Sequence, residues 1–100
     1  ASPDFLAESN LRVSSYQLLK NKHCVPSSSF PKNTYTDMYS AMMDCDKNRK
    51  CAMINNPGCI EDGNGFFQLC TGLFRDLRGK KRRQPLPSPK SCVLVKVNKV

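Results

Sequence analysis

The chain has 100 residues, six cysteines, no tryptophan and a formal net charge of +8 at pH 7. A domain of this length buries only roughly two-thirds of its unfolded surface, so its hydrophobic core is thin. No apolar run approaches the roughly 18 residues of a membrane-spanning helix, so the sequence predicts a single small domain without a transmembrane segment.

The cysteines are the strongest compositional signal. An even number of them in a short chain is typical of a disulfide framework formed in an oxidising compartment. Reduced thiols and a zinc site are the alternatives, but there is no Cys-x-x-Cys pair and only one histidine, His23, which disfavours zinc. We therefore expect a secreted, extracellular protein with no metal or other cofactor. The six positions are Cys24, Cys45, Cys51, Cys59, Cys70 and Cys92.

The N-terminal third is predicted to contain an arm, one or two short strands and a loop. Residues 1–10 are polar and include Pro3, which is typical of a flexible arm. Residues 11–19 carry apolar side chains with a broken alternation, which favours one or two short strands. Residues 25–33 are rich in proline and serine and are expected to form a loop.

One helix is predicted over residues 37–48. Its apolar residues recur with helical spacing, and the polar residues between them are expected to face water. Thr36 is the expected N-cap, with Asp37 in the first turn. The apolar stripe consists of Met38, Ala41, Met42 and Cys45. The residues expected to face water are Asp44, Asp46 and Lys47.

The second half of the chain is predicted to be mostly strand. Candidate strands cover 51–55, 66–70 and 91–97, the last being apolar on both faces as in a central strand. Between them, 84–90 carries three prolines and is expected to form a polyproline-like connector. The plan is an α+β fold, with one helix packed on a small antiparallel β-sheet of four or five strands.

The segment 41–54, AMMDCDKNRKCAMI, resembles the PAN/apple family of extracellular modules. Such modules have a helix ending in a cysteine, five further residues, and a second cysteine that opens a strand; here these are Cys45 and Cys51. The resemblance is best over 41–70 and looser over 16–95. It implies that residues 11–100 form one disulfide-stapled recognition domain, with the basic, proline-rich residues 75–90 as a loop.

The resemblance also implies a disulfide pairing. In that family the last cysteine is tied to an early one, which implies Cys24–Cys92 here. That bond would support the resemblance, and its absence would contradict it. Most members have another helix cysteine where this chain has Ala41, so Cys70 lacks its usual partner. The implied set is Cys24–Cys92, Cys45–Cys51 and Cys59–Cys70. The main rival set has Cys45–Cys70 and Cys51–Cys59.

The best functional candidate is a cationic run. Residues 75–90 hold seven of the sixteen lysines and arginines, opposed only by Asp76. Such a cluster can collect sulfate or phosphate groups, arginine by paired hydrogen bonds and lysine as a point charge. The candidate anion-binding residues are Arg75, Arg78, Lys80, Lys81, Arg82, Arg83 and Lys90. A solvated loop and a protease-processing site are the other interpretations of this run.

The predicted function is a binding module that is not an enzyme, with an extracellular protein or a sulfated glycan as its partner. Some PAN modules bind heparin-like chains, so the resemblance implies heparin binding here. Only Phe74 lies near the basic run, which disfavours nucleic acid. The alternative function is a secreted cysteine-rich effector, such as a toxin, host-defence peptide or signalling ligand, that acts on a receptor or an anionic membrane. The sequence does not predict an oligomeric state.

Overall fold

A computed structural model of the protein describes residues 15–60 and 66–97. The predicted arm at 1–10 and the start of the first predicted strand lie outside the described residues. The elements are β1 (Ser15–His23), β2 (Thr34–Tyr35), α1 (Met38–Lys47), β3 (Met53–Pro57), β4 (Phe67–Cys70), β5 (Leu73–Arg75), β6 (Lys81–Arg83) and β7 (Leu86–Val97).

The main sheet has five strands in the order β1-β7-β3-β4-β2, and its pairs are antiparallel. The C-terminal half of β7 lies between β1 and β3, which confirms the predicted central strand. Val93 is fully buried and Leu94 nearly so, and successive strand residues point to opposite faces. The apolar run therefore places buried side chains on both faces of the sheet. One helix on an antiparallel sheet confirms the predicted α+β class.

Helix α1 covers one face of this sheet. Its predicted stripe packs inwards, with Ala41 and Cys45 fully buried. The N-cap is Asp37 and not the predicted Thr36, because the Asp37 carboxylate accepts hydrogen bonds from the backbone N–H of Ser40 at 2.9 Å and from its hydroxyl at 2.8 Å. These bonds lower the pKa of Asp37 below its usual range.

Two helix carboxylates predicted to face water instead tie the helix to the sheet. The Tyr16 hydroxyl on β1 donates to Asp46 at 2.7 Å, and the Tyr35 hydroxyl on β2 donates to Asp44 at 2.6 Å. Desolvation and these carboxylates raise both tyrosine pKa values. The sequence pattern placed the two aspartates off the apolar stripe correctly, but it could not show that tyrosines from the outer strands reach them.

The opposite face of the sheet is covered by the chain itself. The β1–β7 ladder is interrupted between Lys20 and Lys22, where Asn21 and Lys90 both have positive φ. Beyond this irregularity the backbone N–H of Cys24 donates to the Asn55 side chain on β3 at 3.0 Å. The segment after β1 thus crosses the second face, over a cluster formed by Cys24, Met53, Cys70 and Val93.

The proline-rich segment 84–90 is not the expected connector. Residues 86–90 form the first part of β7, where Pro87 pairs with Lys22 and Leu86 with His23. The β3 ladder begins only at Ser91, so this part of β7 has a neighbour on one side alone. Proline lacks a backbone donor and is tolerated at such an edge, which explains why the prolines did not prevent strand formation.

The disulfides are Cys24–Cys70, Cys45–Cys51 and Cys59–Cys92. The predicted Cys45–Cys51 bond is confirmed. The predicted Cys24–Cys92 and Cys59–Cys70 bonds are wrong, and so is the rival set. The helix, the Cys45–Cys51 bond and the strand after it match the PAN resemblance. The Cys24–Cys92 bond, whose absence was expected to contradict the resemblance, is absent, and this counts against it.

The observed pairing follows from the faces of the sheet. Cys70 pairs with Met53 in the ladder and shares its face, which is the face that Cys24 crosses. Cys92 lies two residues from Leu94 and points to the helix side. The turn after Pro57 brings Cys59 back beside Cys92, because Pro57 pairs with Ser91. Cys24 and Cys92 consequently lie on opposite faces.

Candidate cationic hairpin

The basic segment predicted as a loop forms a β-hairpin outside the main sheet. Among the described strands, β5 and β6 pair only with each other, through Leu73–Arg83, Phe74–Arg82 and Arg75–Lys81. The turn between them has the backbone N–H of Gly79 bonded to the Asp76 carbonyl at 2.9 Å, with Gly79 at a φ of 79°. Glycine adopts that left-handed conformation without a steric penalty, so the sequence suits a tight hairpin turn here.

Asp76 organises this turn with its carboxylate. It accepts hydrogen bonds at 2.9 Å from the backbone N–H groups of Arg78 and Lys80, and it pairs with the Arg82 guanidinium at 2.9 Å. The Arg82 bond is the main reason that the pKa of Asp76 falls below its usual range, and the Lys80 amide comes second. The single carboxylate of the basic run is therefore engaged with Arg82 and with the turn.

Strand alternation divides the cations between two faces. Arg75, Lys81 and Arg83 share one face with Leu73, whereas Arg82 shares the other with Phe74. Arg75 donates to the Gly79 carbonyl at 2.9 Å. Neither Lys81 nor Arg83 makes an ion pair with any described residue, and both are exposed. We call the face that carries Arg75, Lys81 and Arg83 the cationic face.

An open groove of about 690 Å³ runs beside the hairpin. Its charged lining comes from Lys50, Arg75 and Lys81, and its apolar lining from Leu73 and Phe74. Lys50 follows the helix and precedes Cys51, whose disulfide to Cys45 closes a short loop. The sequence analysis missed Lys50 because it lies 25 residues before Arg75, and only the fold brings it to the groove.

Gln84 anchors the hairpin to the rest of the protein. Its side chain is buried, donates to the Thr71 carbonyl at 2.7 Å and accepts from the backbone N–H of Val25. Its own backbone N–H donates to the Gly72 carbonyl at 3.0 Å. The base of the hairpin is thereby fixed, whereas its turn contains no cysteine and, within the described part of the chain, no member of either buried cluster.

The seven predicted anion-binding residues do not form one cluster. Six of them lie on the hairpin, with Arg78 and Lys80 in its turn. Lys90 lies on β7, where its backbone N–H contacts the Asn21 side chain at 3.4 Å, between Lys20 and Lys22 of β1. The structure thus separates Lys90 from the hairpin and places it in a second group of lysines.

Two further features of the described part of the chain bear on function. No helix in residues 15–60 or 66–97 is long and apolar enough to cross a membrane. Over the same residues, no group of three or more His, Cys, Asp and Glu side chains could hold a metal ion.

Searches with the whole chain gave no matching protein-family model, no matching curated protein and no matching solved structure.

Proposed function

We propose that the protein is a secreted recognition module that binds a sulfated glycan through the cationic face of the β5–β6 hairpin. The observation that carries this proposal is the division of charge across the hairpin. Asp76 is engaged by Arg82, which leaves Arg75, Lys81 and Arg83 exposed on the other face without a carboxylate partner among the described residues.

The spacing of these cations suits a repeating polyanion. Directly paired strand residues such as Arg75 and Lys81 have Cα atoms about 5 Å apart, and residues two apart on a strand are about 7 Å apart. Leu73 lines the groove and shares the face of these charges. The apolar C–H surface of a sugar ring can contact Leu73, which shares the cationic face, while the sulfates of the sugar contact the cations.

Secretion is supported by the cysteines. All six are paired, and none is free. Disulfides persist in oxidising compartments and are rare in the cytosol. The abundant polyanions that a secreted cationic module meets are sulfated glycans.

The test is elution from immobilised heparin along a salt gradient. The key variant combines Arg75→Gln, Lys81→Gln and Arg83→Gln. Its matched control combines Lys20→Gln, Lys22→Gln and Lys90→Gln, which removes the same charge from the β1–β7 lysines. We expect the natural protein and the control to elute well above physiological salt and the key variant far below them. The slope of log affinity against log salt should fall by roughly one for each anionic contact that is lost.

Two outcomes would contradict the proposal. Equal losses in the two triple variants would show that heparin responds to net charge alone and not to the hairpin face. Elution of the natural protein near or below physiological salt would show that there is no glycan site. Lys50→Gln tests the groove separately and should cause a smaller loss than the triple variant.

One observation favours the alternative function at an anionic membrane. Leu77 is fully exposed at the tip of the hairpin, between Asp76 and the cationic Arg78. Apolar groups beside cations are typical of segments that bind at lipid interfaces. Leakage of dye from anionic vesicles, abolished by Leu77→Ser, would support that function, whereas intact vesicles would leave glycan binding as the role of the hairpin.

A further inference from the structure

The hairpin turn is also an exposed basic segment. Leu77 is fully exposed, and Arg78, Gly79 and Lys80 are exposed beside it. Proteases that cleave after arginine or lysine need access to such a side chain and an extended backbone around the bond. Exposed loop tips with small or polar residues are the preferred sites of proteolytic nicking.

The bonds that follow the basic residues of this run differ in their accessibility to a protease. By sequence alone, the bond after the pair Arg82-Arg83 is an obvious target. That bond leads into Gln84, which is buried and hydrogen-bonded to Thr71 and to Val25. The bond between Arg78 and Gly79 lies at the tip, where only the turn itself must open.

Opening the turn disrupts little structure. Strands β5 and β6 have three residues each and pair only with each other, and a lone two-stranded hairpin is marginally stable at best. The contacts that hold the turn closed come mainly from Asp76, through the amides of Arg78 and Lys80 and the side chain of Arg82. Asp76 therefore sets how often an extended, cleavable backbone is available.

The disulfides determine what a cut would produce. Cys59 and Cys92 lie on opposite sides of the hairpin in the chain, and they are bonded to each other. The part after the cut also contains β7, which pairs with β1 and β3 in the main sheet. The two parts of the chain would thus stay joined both by a covalent bond and by the sheet.

We propose that an extracellular protease specific for arginine or lysine cleaves the Arg78–Gly79 bond and converts the protein into a two-chain form joined by Cys59–Cys92. Water adds across the amide, giving a carboxylate on Arg78 and an ammonium group on Gly79. The cut separates Arg75 from Lys81 and Arg83, which share the cationic face only through the hairpin register. Cleavage consequently weakens glycan binding, a consequence that rests on the proposed function.

The first test is limited digestion of the native protein with trypsin, followed by mass spectrometry and N-terminal sequencing. We expect an early product that is heavier by one water and intact without reductant. Reduction should release a fragment beginning at Gly79. Arg78→Gln should suppress this product, and Asp76→Ala should accelerate it several-fold. First cleavage after Arg83, or at exposed Lys32 or Arg49 in the body, would overturn the proposal.

The second test compares intact and nicked protein on immobilised heparin. We expect the nicked form to elute at clearly lower salt, with its far-ultraviolet circular dichroism nearly unchanged. Equal elution of the two forms would overturn the regulatory part of the proposal. If the intact protein does not bind heparin, the proposed glycan function fails, whereas a new N-terminus at Gly79 still establishes the cleavage site.

Discussion

The disulfide-stapled sheet and the β5–β6 hairpin are stabilised by different forces. The sheet with helix α1 contains all three disulfides and both buried clusters. Within the described residues, the hairpin contains no disulfide and no part of either buried cluster. The Asp76 carboxylate holds its turn, and the Gln84 side chain holds its base. The exposed cations of the hairpin thus lie where they contribute little to stability. Hairpin variants should therefore change function, and sheet variants should change stability.

Removing the Cys24–Cys70 bond should give the largest effect on the sheet. Its partners are 46 residues apart, and loop entropy predicts that Cys24→Ser with Cys70→Ser lowers the free energy of unfolding by about 4 kcal/mol. Chemical denaturation measures this loss. The matched pair Cys45→Ser with Cys51→Ser, six residues apart, should cost about 2 kcal/mol. A larger loss of unfolding free energy in the Cys45–Cys51 variant would contradict the expectation that the longer loop contributes more stability.

Gln84→Ala tests the junction between the two regions. The substitution removes two hydrogen bonds to partly buried backbone groups, those of Val25 and Thr71. At about 0.5–1.5 kcal/mol for each bond, this should cost about 1–3 kcal/mol. Hydrogen exchange should accelerate across residues 73–83 while the amides of β3 stay protected. Equal acceleration in both regions would show that the hairpin and the sheet unfold together.

Replacing the N-cap should have a moderate effect confined to the sheet-and-helix region. Asp37→Ala should lower the free energy of unfolding by about 1 kcal/mol, because the first helical turn loses its side-chain acceptor. Thr36→Ala is the control and should change stability far less, since Thr36 is not the cap. Thermal denaturation measures the stability of both variants. A larger loss of stability in Thr36→Ala than in Asp37→Ala would contradict the observed cap.

Acid should loosen the hairpin turn by protonating Asp76. Because the folded-state pKa of Asp76 is lowered, its contribution is fully present above the ordinary aspartate value of about 3.9. That contribution is lost as the pH falls through the lowered pKa. The amide chemical shifts of Arg78 and Lys80 should therefore titrate below about 3.9. A midpoint at or above that value, or the same titration in Asp76→Asn, would contradict the role of Asp76.

Local patterns predicted much of the sheet-and-helix region. The stripe of Met38, Ala41, Met42 and Cys45 gave the helix, and the apolar run 91–97 gave the central strand. The long-range disulfides could not be predicted, because strand order decides which face Cys24 reaches. The spacing of apolar residues indicates whether a segment forms a helix or a strand, but it does not indicate the order in which the strands pair.

The hairpin was missed because its strands are short and charged. Lysine is depleted in strands, so Lys81 to Arg83 resembled a loop. A signal was nevertheless present, since Asp76 followed three residues later by Gly79 is typical of a tight turn. Lys50 carried no such signal, because only the Cys45–Cys51 loop and the packing of the hairpin bring it to the groove.

Nuclear magnetic resonance titration of the isotope-labelled protein with a short sulfated heparin oligosaccharide tests the central claim most directly. The account predicts amide shifts that are confined to Lys50, 73–75 and 81–83 and that disappear in the variant lacking Arg75, Lys81 and Arg83. Shifts centred on Lys20, Lys22 and Lys90, or spread evenly over the sheet, would contradict it.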